Sequence, residues 1–185
     1  MEAFLVSTGL VALAEIGDKT QLLSLVLAAR FRRPWPIALG ILVATLLNHA
    51  AAGAVGLWVT QWLGAQTLQW VLGAAFIAMA VWVLVPDKLE QGDATAAAHG
   101  VFLTTLLAFF FAEMGDKTQV ATVALAARHA PLWAVVLGTT LGMMLANLPV
   151  VLLGEKVMKR LPLRVVRVAA ALVFAGIGVV AMVAR

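Results

Sequence analysis

Cysteine and tyrosine are absent from this 185-residue chain, serine occurs only as Ser7 and Ser24, and 12% of residues are charged. Without cysteine there are no disulfides, thiolate metal sites or thiol nucleophiles, though the absence says nothing about redox compartment. The lack of tyrosine carries little by itself. The shortage of charge excludes more. A soluble domain is about 25% charged and roughly 45–50% apolar, whereas this chain is 63% hydrophobic with a mean hydropathy of +1.02. A soluble fold of this size is ruled out. A polytopic membrane protein remains, with almost nothing left over for an extramembranous domain. The net charge of +4 and pI of 10.1 do not indicate a nucleic-acid partner, because the basic residues border apolar runs where orientation explains them.

The N-terminus begins Met1-Glu2-Ala3-Phe4, with an acid where a signal peptide needs basic residues, and its apolar run has no small-residue cleavage site. It is expected to be a retained first span. No lipidation motif is evident, since there is no cysteine and no glycine at position 2.

Six apolar segments follow, from Phe4 to Leu27, Ile37 to Val59, Leu68 to Val85, Val101 to Leu125, Trp133 to Leu153 and Leu163 to Val183. Each is close to the ~20 residues that cross ~30 Å of hydrocarbon as a helix. Helices are required because open strands cannot face lipid. Short linkers carry Pro34, Pro36, Pro131 and Pro162, while the longest, from Pro86 to Gly100, is polar, rich in alanine and glycine, and reads as a solvated hinge between two halves. Arg30, Arg32, Arg33, Lys88, Lys156, Lys159, Arg160, Arg164 and Arg167 fall on one side and only Arg128 and Arg185 on the other. The positive-inside rule therefore predicts extracytoplasmic termini and a cytoplasmic central linker. The basic stripe from Lys156 to Arg167 is explained by orientation before any lipid-headgroup site.

The most informative feature is internal. Glu15-Ile-Gly-Asp-Lys-Thr-Gln21 recurs 98 residues later as Glu113-Met-Gly-Asp-Lys-Thr-Gln119, and between positions 12 and 30 and their counterparts 11 of 19 residues are identical. At the same offset Leu27-Ala-Ala-Arg30 matches Leu125-Ala-Ala-Arg128, Trp35 matches Trp133, Gly40 matches Gly138 and Gly56 matches Gly154. Three spans per half is an odd number, so the second half enters the membrane the opposite way up. The expected fold is an all-α polytopic membrane protein of six transmembrane helices in two inverted three-helix repeats. Residues 1–86 form the first repeat, 87–100 the cytoplasmic linker and 101–185 the second. Secondary transporters with this architecture carry their site at the repeat interface, near the midplane.

The motif puts Glu15, Asp18, Lys19, Glu113, Asp116 and Lys117 within spans, at a cost of about 2.5–3.5 kcal/mol each, on the order of 15–20 kcal/mol together if unpaired. Such a cluster persists only if its members face inward, pair, or bind something. On a continuous helix Glu15, Asp18 and Gln21 would form one drifting stripe, as would Glu113, Asp116 and Gln119. Facing each other, the stripes offer four carboxylates and two amide oxygens. Hard oxygen donors suit Ca²⁺, Mn²⁺ or Mg²⁺ rather than Zn²⁺ or Cu⁺. Four carboxylates and two lysines sum to −2, which one divalent ion neutralises, and when it leaves the crowded carboxylates take up protons. Lys19 and Lys117 are then charge-balancing. A purely structural reading has Glu15–Lys19 and Glu113–Lys117 as buried i, i+4 ion pairs, but leaves both aspartates unpaired.

Gly17 and Gly115 either break their helices so that backbone groups reach the ion or allow close helix contact. Asn48, His49 and Asn147 are second-tier polar residues. The offset pairs His49 with Asn147, one residue of slippage pairs the asparagines, and either completes the coordination or serves as interhelical glue. Thr20 and Thr118 offer hydroxyls to the ion or to their own preceding turn. Met143 and Met144 are explained by gap-filling, and Arg30 and Arg128 by helix C-terminal dipoles.

Two copies of Glu-x-Gly-Asp-Lys-Thr in such a repeat closely resemble the family of the Golgi manganese/calcium transporters and bacterial manganese exporters, of calcium/cation antiporter type. The resemblance covers the whole chain. It implies a multi-pass protein of the bacterial inner membrane that exports Mn²⁺, or Ca²⁺, against H⁺, with the motif acids at Glu15, Asp18, Glu113 and Asp116. The metal is substrate, so no cofactor and no catalytic residue is expected, and the bilayer, the divalent ion and protons are the partners. Whether the chain forms a homo-oligomer stays open. An intramembrane phosphatase lacks a nucleophile and motif arginines here. An exporter of amino acids or other small organic cations is the stronger alternative, although it needs a pocket for an organic body.

Overall fold

The computed structural model describes residues 1–85, 100–154, 156 and 162–183; all of the linker except Gly100, together with Lys88, Lys159, Arg160 and Arg185, lies outside these. The described residues fold as helices: α1 (Glu2–Glu15), α2 (Lys19–Phe31), α3 (Pro34–Trp62), α4 (Ala65–Trp82), α5 (Val101–Glu113), α6 (Lys117–Arg128), α7 (Leu132–Leu153) and α8 (Leu163–Val183). Prolines open the later helices, Pro34 at the first position of α3 and Pro131 as the residue before α7, where a missing N–H costs nothing. Four helices, α3, α4, α7 and α8, are each long and apolar enough to cross a membrane, and α5 is a shorter apolar helix.

The first and fourth apolar segments are not single helices. Each is cut in two inside its motif, α1 from α2 and α5 from α6. The expectation of a continuous stripe through Glu15, Asp18 and Gln21 is therefore corrected, for a backbone reason given below.

Polarity is arranged inside out relative to a soluble protein. Leu5, Leu39, Leu47, Trp58, Phe111, Leu145 and Leu172 are exposed, while Glu15, Asp18, Gln21, Asn48, His49, Glu113, Asp116, Lys117 and Asn147 are buried. Only an apolar solvent makes that distribution stable. Trp35 and Trp133 open α3 and α7 and Trp62 closes α3, all exposed, as aromatic residues at a membrane–water boundary are.

Packing exchanges the halves. The broken pair α1 and α2 lies against α7, the broken pair α5 and α6 against α3, α3 packs on α7, and α4 on α8. Close approach at glycine fixes the register. A Cβ on Gly40 would stand 2.7 Å from the Thr105 Cβ and 2.9 Å from the Phe102 carbonyl oxygen, and one on Gly138 would stand 2.5 Å from the Phe4 carbonyl oxygen and 3.0 Å from the Ser7 Cβ. Phe4 and Phe102, Ser7 and Thr105, and Gly40 and Gly138 are all 98 apart, so the sequence offset is also a contact offset. Gly40→Leu is accordingly expected to destabilise the α3–α5 seam by about 1–3 kcal/mol through overpacking; a thermal unfolding midpoint in detergent equal to that of the parent would contradict this.

Candidate functional site

Each break is built the same way. Ile16 is extended at φ −65, ψ 116, Gly17 takes φ +84, and Asp18 is extended again at φ −83, ψ 167 as the N-cap of α2. Met114 (φ −63, ψ 120), Gly115 (φ +75) and Asp116 (φ −81, ψ 167) repeat this between α5 and α6. A positive φ costs a side-chain-bearing residue roughly 1–2 kcal/mol, so glycine is what permits the turn. Of the two roles open to Gly17 and Gly115, the break is the one adopted. The motif glutamine then fixes it: Gln21 Oε1 accepts the Gly17 N–H at 2.8 Å and Gln119 Oε1 the Gly115 N–H at 2.7 Å. Gln21 Nε2 also donates to the Ala146 carbonyl at 2.9 Å, tying the first break to α7. Gln21→Leu would strand the buried Gly17 N–H and cut the tie to α7, and is expected to lower stability by about 1–3 kcal/mol, read as a fall in the detergent unfolding midpoint; an unchanged midpoint would show that the amide is dispensable.

Neither aspartate makes a side-chain cap to its own helix. Instead the ion pairs run between the halves. Lys117 Nζ contacts Asp18 Oδ1, and Lys19 Nζ lies 3.8 Å from Asp116 Oδ1. The i, i+4 pairs with glutamate expected on continuous helices are replaced by these crossed lysine–aspartate pairs, because the turn at glycine swings each lysine onto the following helix.

Glu15 and Glu113, the last residues of α1 and α5, are both fully buried. Asn147 Nδ2 donates to Glu15 Oε1 at 3.1 Å, Ser24 Oγ donates to Asn147 Oδ1 at 2.8 Å, and Thr118 Oγ1 donates to Glu113 Oε2 at 2.7 Å. Glu15 Oε2, Glu113 Oε1 and Asp116 Oδ2 are buried with no hydrogen-bond partner among the described residues. Glu113, Asp18 and Asp116 act coulombically on Glu15, and Asp116, Lys19 and Lys117 on Glu113, so the six ionisable groups form one electrostatic unit. Among the described residues, no three carboxylates or imidazoles stand near enough together to ligate a single ion. Binding of one ion by several of these acids therefore requires them to draw closer.

The remaining sequence-derived residues divide. Asn147 reaches a motif acid, and its Nδ2 also approaches the Met143 carbonyl and sulfur at 3.1 and 3.0 Å. Asn48 instead donates to the Phe110 carbonyl at 3.0 Å, joining α3 to α5. Gln119 is half-buried, and the Thr20 hydroxyl is buried without a partner among the described residues. Two further residues reach the site without being evident in the sequence. Ser24 orients Asn147; its position nine residues after Glu15, in a chain with two serines, is the available signal. Arg167 Nη2 donates to the Gly17 carbonyl at 3.2 Å; in sequence it merges with the orientation stripe, although it lies inside the sixth apolar segment.

Arg167 also marks an asymmetry. Gly17 is buried, and a Cβ there would meet Leu163 Cδ2 at 3.0 Å and Arg167 Nη2 at 3.6 Å, so α8 covers the first break. Gly115 is exposed, with nothing among the described residues within 4 Å of the same position, and Met114 beside it is exposed.

The chain matches the family described as Divalent cation/proton antiporter GDT1 over residues 3–91 and 101–185. Over 168 residues it is 50% identical to a Vibrio cholerae protein named "Putative manganese exporter", covering 90% of this chain and 84% of the relative. A GDT1-like protein of Synechocystis sp. is 26% identical over 94% of this chain and 93% of its own length, and GDT1-like protein 5 of Arabidopsis thaliana 24% identical over 97% and 94%. No solved structure matches the chain. With the family matched along nearly the whole sequence, this multi-pass, all-helical chain belongs to the GDT1 family of divalent cation/proton antiporters.

Proposed function

We propose that this chain exports Mn²⁺ from the bacterial cytoplasm in exchange for H⁺, with Ca²⁺ as a second substrate. The observation that carries the reading is the pair of fully buried glutamates, one at each helix break, sharing an electrostatic unit with both aspartates and both lysines. The all-oxygen motif narrows the substrate to Ca²⁺, Mn²⁺ or Mg²⁺, and manganese among these rests on the 50% identity to the Vibrio cholerae relative.

The fold is read as six spans: α1 with α2 and α5 with α6 each make one broken span, and α3, α4, α7 and α8 are continuous. Residues 1–86 and 101–185 are the inverted repeats, joined by 87–100. The exchanged packing and the shared 98-residue contact offset at Gly40 and Gly138 support this. Both termini are extracytoplasmic in the inner membrane. Arg30, Arg32, Arg33, Arg164 and Arg167 gather on the cytoplasmic side. On the other side His129 adds no charge near neutral pH, since its burial and the neighbouring Arg128 hold it below the usual 6.5.

Glu15, Asp18, Glu113 and Asp116 are the ion's carboxylate ligands, with Asn147, Asn48, Gln21 and Gln119 supplying amide oxygens. The glutamines do so through the lone pair not used by the glycine N–H. An arriving M²⁺ displaces Lys19 and Lys117 from the aspartates and draws the acids together; on its release protons take its place. One M²⁺ against two H⁺ keeps the site's charge constant. The covered first break and open second break are one of the two arrangements that alternating access requires, with α8 closing the cytoplasmic side through Leu163 and Arg167.

Everted membrane vesicles containing the chain and holding an acid interior test the reading. Adding Mn²⁺ should dissipate the pH gradient with saturation, Ca²⁺ less effectively, and Mg²⁺ or amino acids hardly at all. Dissipation by amino acids or organic cations, with no response to Mn²⁺, would transfer the function to an organic-cation exporter.

A further inference from the structure

The two halves are not chemically equal at one buried position. Asn147 on α7 reaches Glu15, the last residue of α1. The residue 98 earlier is His49 on α3, fully buried, with neither ring nitrogen hydrogen-bonded among the described residues. The three-dimensional register supports the correspondence. Gly40 sits on the Phe102 carbonyl as Gly138 sits on the Phe4 carbonyl. His49 lies as far beyond Gly40 as Asn147 beyond Gly138, and Glu113 as far beyond Phe102 as Glu15 beyond Phe4. The adjacent Asn48 contacts the Phe110 carbonyl, which places this turn of α3 beside the end of α5. Each glutamate has one bonded and one unpartnered oxygen, but Glu15 is held by the α7 amide of Asn147, whereas Glu113 is held by Thr118 and receives nothing from His49 among the described residues.

We propose that His49 is the specificity-determining residue of the site, giving it a nitrogen ligand next to Glu113 that favours a transition-metal ion over Ca²⁺ and Mg²⁺. The inference rests on the divalent-cation export reading above and adds what sets its ion preference. A neutral imidazole has one N–H and one lone pair. Glu113 Oε1, itself without a partner among the described residues, is an acceptor for that N–H once the site's groups draw together, which leaves the lone pair for a cation. Oxygen donors alone discriminate poorly between Mn²⁺ and Ca²⁺, whereas imidazole nitrogen is a ligand for first-row transition metals, bound more tightly from Mn²⁺ through Fe²⁺ to Co²⁺.

The test is competition of Ca²⁺ and Co²⁺ against Mn²⁺ uptake by proteoliposomes containing the full chain or its His49→Asn variant, which places in α3 the residue already present in α7. The expected result is a fall in Mn²⁺ preference over Ca²⁺ of about tenfold or more, with Co²⁺ losing more than Mn²⁺. An equal loss for all ions, or no change, would overturn the proposal and leave Mn²⁺ export standing. Absence of any divalent flux in the parent would overturn the export reading and this proposal with it. A second measurement is independent of the variant's folding: electron spin echoes of Mn²⁺ bound to the parent protein should be modulated by an imidazole nitrogen, with the frequency shift expected on ¹⁵N-histidine labelling. A spectrum without nitrogen modulation would overturn the assignment.

Discussion

Replacing Glu15 by glutamine should abolish proton-coupled divalent cation transport while leaving the folded protein intact, and Glu113→Gln should do the same. The amide is nearly isosteric and can still accept the hydrogen bonds from Asn147 and Thr118 that hold these side chains. What it removes is a charge and a proton-binding oxygen. One unit charge facing another at ~4 Å in an effective dielectric near 20 is worth about 4 kcal/mol, so the loss of affinity should be about a thousandfold. Asp116→Asn should abolish transport as well. Because the two glutamates lie in different halves yet share one unit, the single variants should be as inactive as the double. Initial rates of Mn²⁺ uptake for well-folded single variants decide this, and a glutamine variant transporting at even a tenth of the parental rate would contradict it.

Lys117→Met should be among the most destabilising changes in the chain, by about 3–5 kcal/mol, because it leaves the buried Asp18 carboxylate without this ammonium. Lys117 and Asp18 side chains are 5% and 0% exposed, whereas Lys19, paired across to Asp116, is 24% exposed. Lys19→Met should therefore cost distinctly less, since water screens that pair. Combining Lys117→Met with Asp18→Asn removes both charges and should restore most of the stability without restoring transport. Unfolding midpoints of the four proteins in one detergent give the coupling directly. Additive losses would mean that the two residues are not energetically paired.

Much of the site is legible in the amino-acid sequence. The 98-residue repeat, the charged residues inside apolar segments and the oxygen-only chemistry of the motif are sequence facts, and the family resemblance carried by the doubled motif is shown as membership. What stays hidden turns on one ambiguity. A glycine in an apolar run marks either a break or a close contact, and the letters do not distinguish Gly17, which takes a positive φ, from Gly40, which stays helical against α5. On continuous helices Glu15–Lys19 looks like a natural i, i+4 pair. Once the chain turns at Gly17 and Gly115, the lysines fall to the opposite half's aspartates. Helix continuity also conceals the second role of Gln21 and Gln119, which hold the turns by accepting glycine N–H groups. Arg167 is concealed for a different reason. A basic residue near a membrane boundary already has a sufficient explanation in orientation, and only a contact such as its bond to the Gly17 carbonyl separates the two roles.

Both motif copies are expected to form one site that exchanges a divalent metal for protons. The decisive experiment is Mn²⁺ uptake into proteoliposomes of the purified chain under an imposed pH gradient, with Ca²⁺ and Mg²⁺ in parallel and Glu15→Gln and Glu113→Gln as controls. A single shared site predicts saturable Mn²⁺ flux that follows the gradient, reverses when the gradient is reversed, and vanishes in both variants. Folded parent protein that carries none of the three ions, or that carries Mn²⁺ undiminished in either variant, would contradict it.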